Sequence, residues 1–159
     1  MKTQQRRMIG HGAIVMLIAL FAGFGLVISL VGGLEVFPGT ILSFKFPGET
    51  SAWARTHVGG LLNGMLVIVG ALVIHAMDLP DKPASRLRWM LIGTGYANTA
   101  FYWGGMFAPS HAVTAGDNRL GESNLAGVLG FLPAVVFMFL TIAAMVILIR
   151  QGFSKDAKR

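Results

Sequence analysis

Four stretches of this chain are each long and apolar enough to cross a lipid bilayer, and that limits the possible folds more than any other feature. A helix needs about 20 apolar residues to span the hydrocarbon core. The first stretch covers residues 10–33, GHGAIVMLIALFAGFGLVISLVGG. The second covers 57–77, HVGGLLNGMLVIVGALVIHAM. The third, 87–106, LRWMLIGTGYANTAFYWGGM, is less apolar, and the fourth, 125–149, is LAGVLGFLPAVVFMFLTIAAMVILI. Each is bounded by polar or turn-forming residues. The expectation is an all-α integral-membrane protein, one transmembrane domain over residues 1–159 built as a four-helix bundle. Composition agrees, since 54% of the residues are hydrophobic and 13% are charged, against roughly 25% charged in soluble domains. Lys2, Arg6 and Arg7 precede an apolar run that is longer than the core of a signal peptide and lacks a clear cleavage site after it. It reads as a retained span.

The formal net charge of +6 is not a nucleic-acid signal. Lys2, Arg6 and Arg7 lie in the N-terminal tail. Lys82, Arg86 and Arg88 follow the second span, and Arg150, Lys155, Lys158 and Arg159 follow the fourth. Only Lys45, Arg55 and Arg119 fall in the other two loops. This bias places both termini in the cytoplasm and the two longer loops outside. Those loops are rich in Gly, Pro and aromatic residues and suit a lid over a pocket in the outer half. The chain has no cysteine, which excludes disulfides, thiolate nucleophiles and thiolate-held metals.

The polar residues inside the spans are the candidates for chemistry. His57 falls in the first turn of the second span or at its cap. His75 lies five whole turns further on, about 27 Å away, so the two cannot share a metal. Gly60 and Gly64 form a small-xxx-small pair within about 60° of His57. The pair leaves a shallow trough that suits a flat porphyrin and suits a packed neighbouring helix equally. Arg55 and Trp53 are interface anchors, and Arg55 is also placed to pair with a propionate. An electron-transfer cytochrome holds haem between two strong ligands. Only His111, in the outer loop, is a candidate for the second. A one-histidine iron keeps an open position and acts as a Lewis acid. His11 and His75 lie near the inner face, where they either meet or, as the GHG stretch suggests more strongly, His11 is a polar residue at the helix start.

Asn98 and Tyr102 are four residues apart and share a helix face, which Thr94 extends. Such side chains mark either function or helix–helix hydrogen bonding, and Tyr102 also suits an interfacial aromatic belt with Trp103. Asn63 sits more than a turn inside its span, where an amide needs partners. It is about 120° around the helix from His57. Pro133 is expected to kink the fourth span and free a carbonyl, and the nine methionines read as packing residues.

Several stretches resemble the styrene oxide isomerase family in order and spacing. They are GHG at Gly10–Gly12, LVGGLEVFPG at Leu30–Gly39, WARTHVGGLLNGM at Trp53–Met65 and GYANTAFY at Gly95–Tyr102. Phe107, Pro109, Asn118 and Gly121 follow in order, so the resemblance covers nearly the whole chain. It implies an integral-membrane isomerase of the bacterial inner-membrane type, a homotrimer with haem b near its subunit interfaces. The implied reaction is a Meinwald rearrangement of styrene oxide to phenylacetaldehyde, with ferric haem as Lewis acid and no net redox change. By the resemblance His57 is the axial iron ligand, while Tyr102 and Asn63 contact the epoxide and support turnover. Asn98 is assigned a supporting role, and Gly60 and Arg55, taken from the trough and the propionate reading above, are the accompanying cofactor contacts. Thr94 departs from the family pattern, in which an acidic residue is expected. The alternatives are a membrane haem-carrying electron-transfer subunit and an accessory subunit without cofactor.

Overall fold

The computed structural model describes residues 1–154; the expected inner-side cations Lys155, Lys158 and Arg159 lie outside the described residues. The elements are α1 (Thr3–Val31), β1 (Gly33–Phe37), β2 (Thr40–Ser43), α2 (Thr50–Ala76), α3 (Asp81–Phe107) and α4 (Leu125–Gly152). The helices overrun the apolar stretches at their N-terminal ends. α1 starts at Thr3 rather than residue 10, α2 at Thr50 rather than 57, and α3 at Asp81 rather than 87. Hydropathy marks only the apolar part of a helix, and the polar turns ahead of it are good helix formers in their own right. α1, α2 and α4 are long and apolar enough to cross a membrane. α3 matches α2 at 27 residues, but its charged first turns and its line of Thr and Asn side chains make it less apolar.

The all-α expectation needs one correction. The segment after α1 forms an antiparallel hairpin in which Gly33 pairs with Ser43 and Leu34 with Leu42. Gly32 ends α1 at φ 72. Pro38 and Gly39 make the turn, with Gly39 at φ 80 and its N–H donating to Glu35 Oε1 at 2.7 Å. Pro followed by a left-handed Gly is the pairing such a turn favours.

Successive helices run antiparallel. Gly12 approaches Gly64, Gly23 approaches His57 and Gly25 approaches Trp53, so α1 descends as α2 rises. Gly59 meets Tyr102 and Gly70 meets Leu91 between α2 and α3, and Gly93 meets Phe137 between α3 and α4. α1, α2 and α3 touch one another, and α4 packs chiefly on α3 and not on α1, so the four helices do not form a closed square. α4 continues through Pro133 without interruption.

Lys2 Nζ lies 3.1 Å from Asp81 Oδ1, joining the starts of α1 and α3. The described basic residues of the tails and the α2–α3 loop therefore gather at one end. At the other end Trp53 is buried, which corrects its reading as a surface anchor. Its indole donates to the Pro47 carbonyl at 3.0 Å, stacks on Phe46 and meets Trp103 edge-on. A second cluster of Met8, Val67, Leu87 and Leu91 fills the opposite end.

The closest α1–α2 approach has a direct test. A Cβ on Gly64 would lie 2.8 Å from the Gly12 carbonyl oxygen, while one on Gly10 would meet nothing. Gly64→Val is expected to cost about 1–3 kcal/mol by overpacking, read as a lower thermal midpoint in detergent. Gly10→Ala is expected to leave the midpoint unchanged or raised. An unshifted midpoint for Gly64→Val contradicts the packing.

Candidate functional site

His57 lies two turns inside α2, not at its cap, because α2 begins at Thr50. Its Nδ1 is 2.9 Å from the Ala19 carbonyl oxygen of α1. A carbonyl only accepts, so Nδ1 carries the proton and donates, and Nε2 keeps its lone pair. Nε2 has no partner among the described residues, and the side chain is half-buried at the α1–α2 edge. The imidazole lies against Gly23, where a Cβ would stand 2.7 Å from Nδ1. Ala19 and Gly23 were not singled out in the sequence. Their four-residue spacing of small side chains on α1 was the signal that a second helix approaches there.

The trough expected beneath His57 is filled. A Cβ on Gly60 would lie 2.6 Å from the Ala19 Cβ, and one on Gly64 would meet Met16 and Gly12. Gly60 and Gly64 therefore serve helix packing, the second of the two readings left open by their spacing. The glycine that gives the imidazole room is Gly23.

The other polar residues converge on the α2–α3 side. Asn98 Nδ2 donates to Asn63 Oδ1 at 2.8 Å, and Asn63 Nδ2 donates to the Gly59 carbonyl at 2.7 Å. Asn63 is buried, so these bonds answer the cost of an amide in an apolar interior. Tyr102 lies one turn beyond Asn98, with its ring against the Cα of Gly59. Its hydroxyl has no partner among the described residues. Buried Thr56 ties the two helices by donating to the Ala52 carbonyl at 2.8 Å, with the Tyr102 carbonyl at 3.4 Å. Thr94 does not extend this network. Its hydroxyl donates to the Met90 carbonyl and pairs with Thr141 of α4 at 2.7 Å.

Tyr102 and Thr56 line a small cavity of about 60 Å³ with Ala52, Gly105 and Val113. Arg55 and His111 also border it. They border too an open cleft of about 480 Å³ between the 45–49 segment and the 105–111 segment, so the α1–α2 and α3–α4 connections meet at this end. Arg55 Nη2 is 3.1 Å from His111 Nδ1. A guanidinium only donates, so that nitrogen of His111 accepts. His111 and Ala112 both adopt left-handed φ, 55 and 54. Asn118 pins their loop by donating to the Ser110 carbonyl at 3.1 Å and to Thr114 Oγ1 at 2.7 Å.

His11 and His75 do not meet. His11 Nδ1 is 2.9 Å from the Tyr96 hydroxyl, while His75 is exposed near the end of α2. The arrangement thus offers a fixed imidazole with a free nitrogen on one side of α2 and an amide pair with a nearby unpaired phenol on another.

The amide network carries its own test. Asn98→Ala leaves a buried amide oxygen of Asn63 without its donor, and an unsatisfied group of this kind costs about 1–3 kcal/mol. Thermal unfolding in detergent is expected to show that loss, and the double variant Asn63→Ala/Asn98→Ala is expected to lose less than the two single losses added. Additive losses contradict the pairing.

Comparison with known proteins gives the family. The family model described as styrene oxide isomerase matches residues 4–153. The chain is 37% identical over 155 residues to the styrene-oxide isomerase of Pseudomonas fluorescens, covering 98% of this chain and 92% of that one. A match through all four helices at this identity makes the chain a member of the styrene oxide isomerase family.

Proposed function

We propose that this protein isomerises aryl epoxides, with styrene oxide as the type substrate, to aldehydes such as phenylacetaldehyde, using ferric haem b held by His57. Family membership supports the reaction. The observation that carries the cofactor reading is the His57–Ala19 hydrogen bond, which orients the ring and leaves Nε2 as the free donor atom. A hydrogen bond from the other ring nitrogen to a carbonyl is how metal-bound histidines are usually oriented. The surroundings fit an apolar macrocycle, since Gly23 adds no side chain against the ring and the neighbouring Leu20 and Phe24 are exposed and apolar. Arg55, whose guanidinium meets His111 on another side of α2 from the His57 ring, is the cation proposed for a propionate at a shared subunit interface. Bound there, ferric haem b would supply a Lewis acid.

The chain's own residues account for the rest. As the benzylic C–O bond of the epoxide breaks, negative charge builds on its oxygen, and the unpartnered Tyr102 hydroxyl donates to it. Asn63 has one amide hydrogen committed to Gly59, and its second is available to orient the same oxygen. A hydride then shifts from the adjacent carbon and the carbonyl forms, with no atom gained or lost. The apolar walls of the site keep out water, which would trap the cation as a diol.

His57 bonds to α1, whereas Asn63 and Tyr102 meet at the α2–α3 contact. This separation within one chain supports a homotrimer with haem near the subunit interfaces, where a neighbour completes the site. The gathering of Lys2, Arg6, Arg7, Lys82, Arg86, Arg88 and Arg150 at one end supports α3 as a fourth span and both termini in the cytoplasm, in a bacterial-type inner membrane. The electron-transfer alternative needs His111 as a second ligand. Its Nδ1 lone pair is engaged by Arg55, and in the neutral ring Nε2 then carries the proton, which favours the isomerase.

Two variants test the assignment. His57→Ala is expected to lose the haem absorbance and the aldehyde-forming activity together; full activity without the absorbance contradicts it. Tyr102→Phe is expected to keep the absorbance and lose about 100-fold in turnover, the scale of one lost charge-stabilising donor. An unchanged rate removes the role given to the hydroxyl.

A further inference from the structure

We infer that Gly59 is a positioning residue for turnover, because one backbone position of α2 sets both the Tyr102 phenol and the Asn63 amide. This rests on the reading that those two side chains contact the epoxide. Two independent contacts meet at Gly59. Its carbonyl accepts from Asn63 Nδ2 at 2.7 Å, which fixes the amide so that Oδ1 faces Asn98. Its missing side chain gives the Tyr102 ring a seat. A Cβ there would overlap the ring at Cζ and stand 2.7 Å from the hydroxyl oxygen, and the three nearest atoms it would meet all belong to Tyr102. Gly59 itself is buried.

The atoms in conflict are at the far end of the tyrosine, not in its backbone. An added methyl group therefore moves the phenol and leaves α3 in place. Alanine is also the better helix former, so the substitution favours α2 wherever the ring yields. Gly60, the adjacent glycine, does not share this duty because its open side faces Ala19 of α1. A phenol pushed aside by about 1 Å loses its aim at the substrate oxygen, and a misplacement on that scale costs up to about 100-fold in rate.

The chain has two tyrosines, Tyr96 and Tyr102, so protein labelled with ¹³C at tyrosine Cζ gives two resonances, and no cofactor is needed to see them. Gly59→Ala is expected to shift the Tyr102 resonance and leave that of Tyr96 unmoved. In haem-loaded protein, Gly59→Ala is expected to lower kcat for styrene oxide while the haem absorbance is kept. In a Tyr102→Phe background the same substitution is expected to cost little further, because the hydroxyl it displaces is already gone. An unmoved Tyr102 resonance, or losses that multiply in the double variant, overturns the inference. A Tyr102→Phe protein with full turnover instead removes the functional reading beneath it, and the resonance shift then still reports whether Gly59 seats the ring. If Gly59→Ala alone fails to fold, Gly59→Ala/Tyr102→Ala is expected to fold, since the conflicting ring is absent. Failure of that pair to fold also overturns the inference.

Discussion

In lipid, apolar side chains gain little by leaving the solvent, so helices associate through close packing and hydrogen bonds. α1 and α2 meet in this way, with Gly12, Ala19 and Gly23 on one helix against Gly64, Gly60 and His57 on the other. Bulkier residues at these places would hold the backbones apart. The approach brings the Ala19 carbonyl to 2.9 Å from the His57 ring. That carbonyl is left open to a second donor because a carbonyl oxygen has two lone pairs. Ring orientation, tautomer and the free nitrogen all follow from how near α1 comes to α2.

The contact between α2 and α3 follows a different rule. Here polar groups are satisfied in sequence, half-buried Asn98 to buried Asn63 to the Gly59 carbonyl, with Thr56 bonding nearer the start of α2. Amides paired inside an apolar interior stiffen it. The phenol of Tyr102 packs at Gly59 beside this set, with its hydroxyl unpaired among the described residues. α2 thus shares an imidazole with α1, and an amide pair and a nearby phenol with α3. Such a division suits a site completed by a second copy of the chain.

How much of this was legible differs from residue to residue. The four apolar runs announced the helices because the period and length of an apolar stretch are local properties. The helix starts were not legible, since Gln4, Gln5 or Lys82 continue a helix without adding hydropathy. The hairpin at residues 33–43 was read as loop, its strands being too short for alternation to show. Asn63 and Asn98 stood out because amides are costly in lipid, but their pairing belongs to the α2–α3 register, which one sequence does not display. Gly60 was chosen over Gly23 and Gly59 because spacing along one helix identifies a face and not the neighbour that covers it. A haem beside His57 was one of two readings the residues left open, and the choice of haem b and the roles of Tyr102 and Asn63 came through family resemblance.

Electron paramagnetic resonance of the purified ferric protein tests the central proposal most directly, because the spin state of the iron reports how many strong ligands the protein supplies. A single oriented imidazole with the opposite side open is expected to give a high-spin ferric signal that changes when styrene oxide is added. A low-spin signal from two nitrogen ligands, indifferent to the epoxide, would contradict it.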